Sequence, residues 1–182
     1  RLDGSAPRDE ALLLSWGARS HYVVGDVDGC RERARESLRR ATAVGDAEAL
    51  ANAHMAMALL AILERDASAQ DAHVSRALEY GERGAPIPLR AGHLVASAIF
   101  RLDRGLYADA IADAERALRL YELMGRRDPP ALVVRGEARA AVGSLDEALV
   151  DLDAARSLFD EEHSAWTFAA LLGLGNVYRE RG

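Results

Sequence analysis

The chain has 182 residues, a formal net charge of -6 and an isoelectric point near 5.4, so it has no net basic field to gather phosphates, and a nucleic-acid surface is excluded. Hydrophobic residues make up 49% but aromatics only 5%. Much of the difference is alanine, the best helix former and a side chain small enough for close helix approach, so an all-α chain is expected. No apolar run reaches the ~18 to 20 residues of a membrane span, and no secretory leader opens the sequence.

In chain order, the polar stretch 1–7 reads as a linker remnant, and nine helices follow it. First helices of successive pairs are predicted near 8–24, 46–64, 87–103, 130–142 and 164–181, and second helices near 27–43, 68–82, 107–125 and 145–160. The units then lie near 8–45, 46–85, 86–127 and 128–162, with a half unit at 163–182. All five prolines (Pro7, Pro86, Pro88, Pro129 and Pro130) fall outside the second segments and are assigned to loops. Cys30, the single cysteine, forms no intrachain disulfide, fits a reducing cytoplasm and sits where a small buried residue is needed.

The pairs repeat in phase. A small residue (Ala18, Ala58, Ala98, Gly136, Gly175) precedes a turn position (Gly25, Arg65, Gly105, Gly143, Gly182) by seven, and both series advance by 40, 40, 38 and 39. Beyond each turn, small or apolar residues recur on one helical face: Cys30, Ala34 and Ser37; Val74 and Ala77; Ala110, Ala114 and Ala117; Ala148, Leu152 and Ala155.

The segments "GNVYRERG", "RGLYADAIADAERAL" and "GSLDEALVDLDAA" carry Gly175, Tyr178 and Gly182; Gly105, Tyr107, Ala110 and Ala117; and Gly143, Leu145, Ala148 and Ala155. In this pattern the chain resembles the tetratricopeptide repeat. It departs from that repeat where Arg101 and Arg139 take an aromatic position, where Arg65 replaces glycine and Gln70 replaces alanine, and in a period near 39 against ~34. The lengthened, alanine- and arginine-rich units are similar to those of large bacterial regulators of the LuxR type, such as the maltose-operon activator. The resemblance implies a right-handed α-α superhelix of four and a half helix pairs, in a fragment of a longer cytoplasmic protein.

In such a superhelix the first helices line the concave side, which implies a groove of Ser15, Arg19, Tyr22, Asn52, Met55, Leu59, Ile62, Val95, Ile99, Leu102, Val133 and Glu137, joined by Asn176 and Arg179. Its apolar middle suits an apolar protein or peptide segment, including one from the parent chain, or a small ligand with an apolar face. Two functions stay open: a protein-interaction domain, or a small-molecule effector sensor in a regulator with an ATPase switch. At the last helix, Leu171, Leu174 and Tyr178 are expected to be exposed and to pair two copies as a homodimer.

An enzyme is not expected, because the chain holds no HExxH, GxSxG or phosphate-binding loop, and acidic runs such as "DEEH" read as solvated faces. No cofactor or metal is implied. Of the five histidines (His21, His54, His73, His93, His163), His54 and His93 fall on neighbouring first helices within reach of one another, but two imidazoles alone make a poor metal site.

Overall fold

The computed structural model describes residues 6–162 and 167–181, and among them every regular element is a helix. The helices are α1 (Ala6–Val23), α2 (Val27–Val44), α3 (Ala47–Leu63), α4 (Ala67–Gly84), α5 (Ile87–Asp103), α6 (Tyr107–Leu123), α7 (Pro129–Ala141), α8 (Leu145–Glu162) and α9 (Thr167–Arg181). They form two compact units, Arg1–Leu89 and Arg90–Gly182. The expected turn residue Gly182 and His163 lie outside the described residues.

Helix starts are set by aspartate. Asp26, Asp46, Asp66 and Asp128 each accept the backbone N–H three residues on, from Gly29, Ala49, Ala69 and Ala131, at 2.9 Å, satisfying donors that a helix start leaves bare. The proline assignment needs correction. Pro7, Pro88, Pro129 and Pro130 stand in the first turns of α1, α5 and α7, where a missing N–H costs nothing, and α1 consequently begins inside the stretch read as a linker.

The turns repeat in conformation as well as in spacing. Gly25, Gly105 and Gly143 have φ of +73°, +73° and +84°, and Arg65, the arginine in the same series, is forced to +58°. For a residue with a Cβ this left-handed region costs about 1 kcal/mol, so the demands of the repeat override the residue's own preference.

In the first unit α1 packs on α2 and α3 on α4, while α3 also contacts α1 and α2. Ala11 meets Ala41 in one cluster, and Ala18 meets Cys30 and Ala34 in the next, so the paired helices run antiparallel. The second unit is built the same way, with α7 on α8, and α6 and α9 flanking them. The small positions expected on the second helices are buried, with Cys30, Ala34, Ser37, Ala110, Ala114, Ala117, Ala148, Leu152 and Ala155 all at 0% exposure. Gly136 shows why size matters there: a Cβ added to it would lie 2.8 Å from Leu152 Cγ and 3.3 Å from the Ala148 carbonyl oxygen.

Candidate interaction surfaces

The residues expected to line a groove divide by burial. Asn52, Met55, Leu59, Val95 and Val133 are buried, while Arg19 is exposed and Tyr22, Ile62, Ile99 and Glu137 are half-buried. Val133 belongs to a cluster with Leu152, Ala170, Leu174 and Val177, and Tyr22 packs against Ala18, Cys30 and Leu60. Asn52 turns its amide back on its own helix, donating to the Glu48 carbonyl at 3.0 Å.

The reason is visible in α3, "AEALANAHMAMALLAIL", which is buried on nearly every side from Ala49 to Ala61. A helix apolar all round is a core helix, and its residues cannot double as an open surface. Glu137 is half-buried, and burial, and then the Asp103 carboxylate, push its pKa above the usual carboxylate range.

The expected self-association face is also corrected. Leu171 and Tyr178 are open, at 50% and 57% exposure, but Leu174 is only 7% exposed and fills the α7–α8–α9 core. Leu171 and Leu174 are three residues apart, yet the side of α9 that meets α8 takes Ala170, Leu174 and Val177 and leaves Leu171 outside. A charge at Leu174 would therefore unfold the unit instead of reporting association.

A polar joint near the turn end of three helix pairs escaped the reading of the sequence. In these pairs the residue four before the turn is bonded to the residue eight after it. In the first pair Arg33 Nε donates to His21 Nε2 at 2.9 Å, and His21 Nδ1 meets Asp26 at 2.8 Å, so the proton sits on Nδ1. In the third, Arg101 reaches the buried Asp113 at 2.9 Å, which also accepts from Ser97 Oγ at 2.5 Å. In the fourth, Arg139 Nη1 reaches the buried Asp151 at 2.8 Å while Arg135 grips the same carboxylate with two bonds of 2.8 and 2.6 Å. The arginines at an aromatic position of the resembled family are thus counter-ions of buried aspartates.

The second pair has Ala61 at the first of these positions, and His73 at the other turns to His54 instead, Nδ1 to Nδ1 at 3.0 Å. The sequence pairs His54 with His93; the structure gives it another histidine, from its own unit. His54 also stacks on Tyr80 at 5.6 Å, and burial, with help from His73 and Arg76, lowers its pKa to about 4. An imidazole so placed stays neutral and serves packing.

Chemically, these joints hold helices. Among the described residues, no three of the His, Cys, Asp and Glu side chains come together in a way that could hold a metal ion, and no helix is long and apolar enough to cross a membrane. Among the described residues, the most exposed large apolar side chains of the first unit are Leu13, Trp16, Val23 and Val24, all in α1 or just after it. No family model matches the chain, and no curated protein matches it.

Proposed function

We propose that this chain is a non-catalytic protein-interaction domain of tetratricopeptide type, its helix pairs stacked as a right-handed superhelix. It serves a larger cytoplasmic bacterial transcriptional regulator. The observation that carries the reading is the in-phase recurrence of a left-handed turn in four successive pairs, including at Arg65, where the residue itself opposes the turn, with a polar joint at the same two places in three of them. Repeated pairs of this kind present the same places of successive first helices to a shared partner.

The partner is a protein segment, contacted by the first-helix residues that stay accessible: Arg19, Tyr22 and Ile62 in one unit, Ile99 and Glu137 in the other. The test is affinity capture from extracts of the source organism with the native chain and with Arg19→Glu, beside a metabolite screen by thermal shift. A protein retained by the native chain and lost with Arg19→Glu supports the reading. A metabolite that raises the melting temperature with no protein retained replaces it with effector sensing.

A further inference from the structure

In the second unit, α6, α7 and α8 line an open groove of about 790 Å³. Its size is that of a ligand or side-chain cluster site. Glu115, Leu118, Arg119 and Glu122 come from one face of α6, spread over two turns; Leu132 and Arg135 come from α7; Val150 and Asp151 come from α8. The loop "GRRD" adds Arg126 and Arg127 at one end.

The charges in this groove do not cancel evenly. Arg135 is spent on Asp151, at 2.6 and 2.8 Å, and Glu115 is met by Arg139 at 3.3 Å. What remains at the mouth is Arg119, Arg126 and Arg127 against the single carboxylate of Glu122, a local positive excess on a chain whose net charge is -6. Among the described residues these three guanidiniums make no ion pair, whereas Arg8, Arg31, Arg39, Arg40 and Arg83 all do. The same lining holds the apolar side chains of Leu118, Leu132, Val150 and Ala154, and Val150 is 70% exposed.

We propose that this groove docks an acidic peptide segment of a partner protein. Its carboxylates engage Arg119, Arg126 and Arg127, and an apolar side chain between them covers Leu118, Leu132 and Val150. Guanidinium forks match carboxylates with two parallel bonds, and their cost in lost freedom is low. A nucleic acid is the poorer fit, because among the described residues no aromatic side chain lines the groove to stack on a base. The site lies on α6, α7 and α8 and is independent of the accessible first-helix residues assigned above.

The test uses the whole chain and short fluorescent peptides in which Asp and Glu surround Leu at helical spacing, alongside the same peptides with Asn and Gln and an oligonucleotide of equal charge. The acidic peptides are expected to bind, to weaken as salt rises, and to lose about tenfold or more on Arg126→Ala with Arg127→Ala, and again on Val150→Asp. All three changes lie at exposed positions, and an unchanged melting temperature verifies that the fold survives. Failure of the acidic peptides to bind overturns the proposal. So does equal binding by the amide peptides or the oligonucleotide, or affinity unmoved by the substitutions.

Discussion

In Arg1–Leu89 imidazoles make polar contacts between paired helices, His21 with Arg33 and His54 with His73; in Arg90–Gly182 the places of Arg33 and His73 hold Asp113 and Asp151, clamped by arginines. The position eight residues after the turn thus serves different chemistry in the two units. A neutral imidazole pair costs little to bury and little to lose, but it responds to acid. A buried carboxylate repays its dehydration only while its guanidinium partners remain, so its removal strands two charges.

The largest effect that would sharpen this contrast is expected from Asp151→Ala. It leaves Arg135 and Arg139 without their shared acceptor and should destabilise the second unit by about 3–5 kcal/mol in denaturant unfolding. A loss below about 1 kcal/mol would mean that water already screens the clamp.

The first unit should instead weaken with acid. The pKa of His54 is about 4 in the folded chain against 6.5 for a free histidine, so below the free value the unfolded chain binds the proton that the folded chain refuses. Stability contributed by neutral His54 is complete above about pH 6.5 and is lost as pH falls toward 4, by roughly 3 kcal/mol. His73 is shifted in the same direction, so both rings steepen the slope. Hydrogen exchange against pH, for the native chain and for His54→Gln, measures it; an equal slope in both would show that the ring stays neutral for no structural reason.

A smaller effect concerns close approach. Gly136→Ala should cost about 1–3 kcal/mol, because its Cβ meets Leu152, whereas Gly175→Ala, where nothing lies within 4 Å, should gain up to about 1 kcal/mol of helix propensity. Equal melting shifts for the two would mean that α8 gives way at Leu152. The smallest is Arg65→Gly in the first unit, which relieves the left-handed turn and should raise stability by about 1 kcal/mol, read as a higher denaturant midpoint. A decrease would assign the exposed Arg65 side chain a contact of its own.

Helix positions, turn positions and the small residues packed between paired helices were legible in the sequence, because each follows from a spacing that recurs in every unit. What was not legible depends on which faces meet. Met55 and Leu59 read as groove residues as long as α3 is taken to have an open side, though its unbroken apolar run up to Leu63 already argued against one. Leu174 and Leu171 look alike in sequence, and only the contact with α8 separates core from surface. Asp113 and Asp151 were hidden among carboxylates that elsewhere face water; comparing the eighth residue after each turn would have set them beside Arg33 and His73.

Cys30 lies in the first turn of α2 with no exposed surface, packed in one cluster with Ala18 of α1 and Ala56 and Leu60 of α3, and burial pushes its thiol pKa up. It is the only cysteine in the sequence, so the chain carries a native clock for the opening of that three-helix contact. A thiol reagent can modify it only after these helices part around it, and the modification rate in native buffer therefore reports how often the contact opens, with no engineered label and no denaturant.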